Sequence, residues 1–276
     1  MGTQGPACFP GASLMYISPG NIINYHNLKK SIPKTSTDEL KLALTNALLK
    51  SPMVSVARDV ITNNDSEVVT FTEPGARIEL DNCNSAENVK VTVKVMLSNA
   101  DSGIATQAVT MALKELGVSK LDVVLLAMPA RPFDEDLTID HYKPVWSELE
   151  QLVKDDKIKM LGVCDLDLAM LTELHSWAQV RPTTNQMNQA SCCAIPPGLK
   201  EFAAENTIQL IAHSDPSDIL PPEQFQEVLR SHYPEELDSA AWHPSWVLRY
   251  TALIRNRGII TSKGYILRAQ RVLPLA

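Results

Sequence analysis

Residues 145–167 read VWSELEQLVKDDKIKMLGVCDLD. Val145, Trp146, Leu149, Leu152 and Val153 recur at helical spacing, a Lys-rich corner ends that face, and IKMLGV runs on as a short apolar strand into a small polar cluster. A helix handed through a tight corner to an apolar strand is the return half of a βα repeat. Barrels built from such repeats keep their chemistry at the C-terminal ends of the strands. The stretch therefore predicts a parallel, helix-covered sheet and directs attention to CDLD and its counterparts on neighbouring strands.

Working outward, the same alternation continues in both directions. VKVTVKVML (89–97) alternates apolar with polar residues as a strand does, and Val109, Ala112, Leu113 and Leu116 form a helical stripe that Gly117 stops. LDVVLLAM (121–128) is a buried-type strand closed by Pro129. After the quoted stretch come a helix over Leu168–Ala178, a strand at 184–188, a helix around Leu199–Ala204, a strand at 208–213 and a helix near Glu223–Arg230. A last helix is expected from Ser245 to Asn256, before a strand that Gly258 introduces. Upstream, LMYI (14–17) reads as a short strand and ELKLALTNALLK (39–50) as a helix. Residues 51–88 resist placement apart from a β-like VVTFT, and the Gly- and Pro-rich residues 1–13 read as a disordered tail. Six strand–helix alternations without a glycine-rich phosphate loop favour a (β/α)8 barrel over a Rossmann domain, as a single domain over 14–276.

Composition narrows the function classes. The chain has 276 residues, 45% hydrophobic but only 5% aromatic, so an aliphatic core is expected. A formal charge of −7 without a Lys/Arg block argues against nucleic-acid partners and a polybasic membrane patch. Cys8, Cys83, Cys164, Cys192 and Cys193 form no C-x-x-C pair, and the N-terminus lacks a signal-peptide pattern. A reduced, cytoplasmic setting fits these features. The six histidines show no ligand spacing, so no metal site is expected.

In LGVSKLDVVLLAMP (116–129), W-x-x-L-E-x-L-V-x-x-x-K-I-x-x-L-G-V (146–163), NQ (185–186), LIAHS (210–214) and WVLRY…NRGIITSK (246–263), the chain resembles the aldo-keto reductases. That resemblance implies a barrel of their type, here with a degenerate N-terminal part and a truncated C-terminus. It also implies hydride transfer from NADPH, with a tyrosine as acid, a lysine lowering its pKa and a histidine orienting the carbonyl. Lys94 stands where the lysine belongs, but Ala127 fills the histidine position, and no tyrosine occurs between Tyr25 and Tyr142. Cys164 and Asp165 replace the pair that would hold the nicotinamide, and His213 replaces the tyrosine that would stack on it. Gln186, Ser262 and Lys263 are the vestigial cofactor contacts. The expectation is a scaffold with no catalytic set and no cofactor. Lys94 is either a catalytic remnant or a lysine in the polar mouth of the barrel. HSD (213–215) reads as loop polarity.

A narrower resemblance runs through nearly the whole chain. ASCC-x-x-P-P-x-L (190–199), WAQV-x-P (177–182), RGII-x-SKGYIL-x-A (257–269), NIINYHNLKK (21–30) and STDEL (36–40) are similar to the regulatory (modifier, light) subunits of glutamate–cysteine ligase. This implies a non-catalytic chain that pairs as a heterodimer with the catalytic (heavy) subunit, raises its affinity for glutamate and relieves feedback by glutathione. Partner-facing candidates are Cys192, Cys193, Trp242 and Trp246. A disulfide between the adjacent cysteines would be strained, so they either pack or face the partner. Two alternatives stay open: an NADPH-dependent reductase taking its proton from Tyr16 or Tyr25, and a dinucleotide sensor using Gln186, Ser262 and Lys263.

Overall fold

The computed structural model describes residues 12–25, 33–50, 55–58, 67–72, 88–129, 131, 135–188, 195–233 and 238–272. In chain order these form β1 (Ala12–Ser18), α1 (Ser36–Lys50), β2 (Ser55–Arg58), β3 (Glu67–Thr72), β4 (Val89–Leu97), α2 (Ile104–Leu116), β5 (Leu121–Ala127), α3 (Ile139–Lys154) and β6 (Ile158–Cys164). They continue with α4 (Leu168–Trp177), β7 (Thr184–Asn188), α5 (Pro197–Glu205), β8 (Gln209–His213), α6 (Pro222–His232), β9 (Trp242–Ile254) and β10 (Ile259–Arg271). The β-like VVTFT is β3. The expected tail ends sooner than position 13, because Ala12 and Ser13 already belong to β1; residues 1–11 lie outside the described residues.

The stretch read first behaves as its pattern predicts. The apolar stripe of α3 is buried, with Trp146 donating its indole N–H to the Val180 carbonyl at 3.0 Å. At the corner Asp156 takes φ 57°, a left-handed conformation that a short polar side chain tolerates, and Lys157 closes back on the Leu152 carbonyl at 2.9 Å. The chain then enters β6.

β4 to β8 lie side by side in sequence order and all parallel, with α2 to α5 as crossovers. This is the strand–helix arrangement of a (β/α)8 barrel, and the α/β class expected from the sequence holds. The other half departs from simple repetition. The full strand order is β2-β3-β1-β10-β9-β4-β5-β6-β7-β8, with β9 antiparallel to both β4 and β10. Among the described residues the ladder is open, with β2 and β8 at its edges.

The helix expected over Ser245–Asn256 is instead the 13-residue strand β9. Trp246, Leu248, Tyr250 and Ala252 enter one core while Val247 enters the other, so the burial period is two and not 3.6. Spaced apolar residues in WVLRYTALI satisfy a helical template, but aromatic and β-branched side chains suit a pleated surface, and partner strands wait on both sides. The turn into β10 ends at Gly258, whose φ of +64° suits a residue without Cβ.

The sheet therefore separates two cores. One face meets α2 to α5 through Val93, Val95, Leu126, Trp146 and Trp246. The other meets α1 and α6 through Met15, Leu40, Phe71, Phe225 and Trp242. Trp242 and Trp246 are 1% and 0% exposed, which removes both from the partner-facing candidates. Trp246 packs its ring against Tyr16 at 6.2 Å between centroids. Truncating Trp246 to Ala should cost about 3–5 kcal/mol of folding stability, as for other large core side chains. Urea unfolding measures this, and a variant as stable as the parent would show that the indole is not core.

Candidate functional site

The C-terminal ends of β4, β5, β6 and β8 open into a cleft of about 830 Å³, which the start of β9 and the end of β10 also line. Lys94 points into it from β4, and Ala127 stands at the end of β5. In the β4–β9 register Lys94 lies directly opposite Arg249. Two neighbouring cations on one buried face would repel. The loop after β8 resolves this by placing Asp215 between them. Arg249 donates to both carboxylate oxygens at 2.7 and 2.8 Å, and Lys94 donates to Oδ2 at 2.8 Å. The Lys94 and Asp215 side chains are 5% and 6% exposed. Burial would push the Asp215 carboxyl up, but the hydrogen bonds and charge of Arg249, joined by Lys94, hold it well below the usual carboxylate range.

A second pair adjoins the first. The Asp215 backbone N–H donates to His213 Nδ1 at 3.1 Å, which leaves the ring proton on Nε2, 3.0 Å from the Asp165 carboxylate. Asp165 also accepts from the Asn188 backbone N–H at 2.7 Å and takes φ 60°, a backbone strain held by these contacts. HSD was expected to be loop polarity. His213 and Asp215 instead both turn inward, and that is a correction. On an extended chain residues two apart share a face, so His213 and Asp215 can turn inward together.

Ala127 stands at the end of β5, and Lys94 is held by Asp215. The Lys94 ammonium is bound to Asp215 and also lies close enough to Cys164 to favour its thiolate. Tyr142 lines the cleft, yet burial, then the nearby Cys164 and Asp165, push its phenol well above its ordinary value. Tyr16 is packed in the core and Tyr25 hydrogen-bonds the Pro19 carbonyl; neither lines the cleft. Burial also pushes the Cys164 thiol up to about 12, with Lys94 offsetting only part of the shift. Its Sγ lies 3.6 Å from Gln186 Oε1.

The vestigial cofactor contacts are not gathered. Gln186 is level with Cys164, and so with Met96 of β4, whereas Ser262 pairs with Ala252 and through it with Val91. Five residues of strand separate these levels, roughly 17 Å at ~3.3 Å per residue, and five strand steps separate β7 from β10. Ser262 is buried, and the Lys263 ammonium is bound 2.7 Å from Glu39 of α1. These residues do not fit one dinucleotide site. Cys192 and Cys193 lie outside the described residues. Asp215, which lines the cleft, and its partner Arg249 were absent from the candidates read in the sequence, because Lys94 and Asp215 are 121 positions apart and no local pattern links them.

The aldo/keto reductase family model matches residues 75–215, the segment that holds β4 to β8. Glyoxal reductase of Bacillus subtilis is 32% identical over 126 residues, 45% of this chain and 42% of that protein. The likeness to one set of proteins runs much further. The glutamate–cysteine ligase regulatory subunits of Rattus norvegicus and Homo sapiens are 37% and 38% identical over 281 residues, covering 98% of this chain and 99% of theirs. The chain belongs to the glutamate–cysteine ligase regulatory subunit family, on an aldo/keto reductase scaffold. Within it, β9 and β10 lie beyond the residues that the reductase model matches, while the regulatory-subunit likeness extends over them. No helix among the described residues is long and apolar enough to cross a membrane.

Two outcomes follow for the cleft of this family member. Asp215→Asn strands two buried cations and should lower stability by about 3–5 kcal/mol near neutral pH. Because its folded pKa lies below the ordinary 3.8, the native carboxylate stabilises fully above that value and loses its contribution as pH falls through the folded pKa. The variant should therefore show a flatter acid limb below about pH 4 in urea titrations, and equal stability at neutral pH would overturn the assignment. Cys164 should resist iodoacetamide in the folded chain and react once urea unfolds it, as peptide mass mapping can read; rapid native labelling would contradict its burial.

Proposed function

We propose that this chain acts as the regulatory subunit of glutamate–cysteine ligase. It binds the catalytic subunit as a heterodimer in the cytoplasm, raises that subunit's affinity for glutamate and relieves its inhibition by glutathione, with no reaction of its own. The observation that carries this reading is the end-to-end likeness, 37–38% identity over 98% of the chain, to proteins bearing that name. The cleft supports it from the side of chemistry. A carbonyl reductase needs an acid beside the developing alkoxide, and here Lys94 is hydrogen-bonded to Asp215 and Ala127 offers no proton.

Regulation by binding requires no bond-making residue. A partner shifts an enzyme between conformations by its differential affinity for them. A tenfold gain in glutamate affinity corresponds to about 1.4 kcal/mol of coupling, which a rigid α/β surface can supply. The test is a glutamate titration of purified catalytic subunit at fixed cysteine and ATP, with increasing amounts of this chain. The apparent KM for glutamate should fall until the partner is saturated. A curve that does not move, with no co-elution on a sizing column, would overturn the proposal.

A further inference from the structure

The end of the β9–β10 hairpin carries four aliphatic side chains that belong to neither core. Ile254 stands opposite Ile259 and Leu253 opposite Ile260, two directly facing pairs. Ile259 and Ile260 are 52% and 48% exposed, and Leu253 and Ile254 are partly exposed. Aliphatic pairs left in water at the end of a long hairpin gain nothing for the fold. Ile254 and Ile259 share one face of the ribbon and Leu253 and Ile260 the other, so the hairpin end is apolar on both faces, and exposed apolar surface gathered at one tip marks an interaction site.

The charge around the pairs is opposite in sign to that of the chain. Arg255 donates its backbone N–H to the Asn88 carbonyl, and Leu121 donates to the Lys157 carbonyl, so the hairpin end adjoins the N-terminal ends of β4, β5 and β6. Over 88–90, 118–122, 155–159 and 253–260, six cations (Lys90, Lys120, Lys157, Lys159, Arg255 and Arg257) stand against three carboxylates. Arg255 pairs with Asp122 and Lys120 with Asp156. This end is thus net +3 on a chain of −7. It lies at the opposite end of the strands from the cleft, and the hairpin residues 253–260 are beyond those matched by the reductase model.

We propose that the β9–β10 hairpin end is a docking surface for an acidic protein surface with an apolar centre. On the function proposed above, on which this inference rests, that surface belongs to the catalytic subunit. A second copy of this chain is the poorer occupant, because a symmetric contact would set one net-positive end against another. An anionic membrane is also poorer, since the three carboxylates and the overall charge of −7 oppose it.

The experiment measures Kd for purified catalytic subunit by calorimetry at two salt concentrations. It compares the parent chain, Ile259→Ser/Ile260→Ser, Arg257→Glu, and Trp177→Ser as a control at an exposed aromatic of α4. The serine pair should weaken binding by about tenfold or more, as expected for centrally placed apolar anchors. Arg257→Glu should weaken it with a shallower salt dependence. Trp177→Ser should bind as the parent does. Thermal unfolding should be unchanged in all three, the side chains being exposed. Parental binding retained by both hairpin variants would overturn the docking site and leave the proposed function standing. Failure of the parent chain to bind would overturn both. Hairpin-dependent sedimentation with phosphatidylserine vesicles, or a hairpin-dependent dimer of this chain alone, would assign the surface to another occupant and overturn the proposal.

Discussion

One carboxylate bridges two buried cations where the parallel block meets the antiparallel hairpin. β4 and β9 meet antiparallel with Lys94 opposite Arg249, an arrangement that buried like charges would make unfavourable. Asp215, delivered by the loop after β8, bridges them and ties the last parallel strand to the antiparallel hairpin. The network continues outward. Arg249 also hydrogen-bonds Tyr265 on β10, Tyr265 donates to Glu39 of α1 at 2.7 Å, and Glu39 binds Lys263. A line of paired polar groups thus runs from the cleft through β9 and β10 to the first helix. Such networks are costly when incomplete, and here each link has its partner.

The same bridge occupies the lysine that the aldo-keto reductase resemblance singles out. In this chain Lys94 and Arg249 share the Asp215 carboxylate, and the three groups together seat β9 against β4. Folds host functions through sites grafted on them, and the scaffold can outlive the site. Its surviving assets are a rigid framework and its outer surfaces, and regulation by binding draws on those alone.

Legibility in the sequence followed the range of the interactions. The elements from β4 to β8 could be read because apolar spacing within a dozen residues reports burial directly, and the corner at Asp155–Lys157 marked the change of period. β9 could not. Its apolar residues at 246, 247, 248, 250, 252 and 253 satisfy a helical stripe as readily as a strand buried on both faces. A strand between two partners loses the clean alternation that would have distinguished it. Trp242 and Trp246 were misplaced for the same reason, since an aromatic residue carries no local sign of whether it packs inward or meets a partner.

By itself the sequence determined the α/β class, the parallel block, the missing histidine at Ala127 and the family, because each depends on residue identity or on short-range spacing. The tertiary structure decided the rest. It brought Asp215 to Lys94 and Arg249 across 121 and 34 positions, set Ser262 and Lys263 five strand steps away from Gln186, and left Ile259 and Ile260 in solvent. Those outcomes depend on strand order and register. These are set by how the whole chain buries its apolar faces, and no segment encodes them alone.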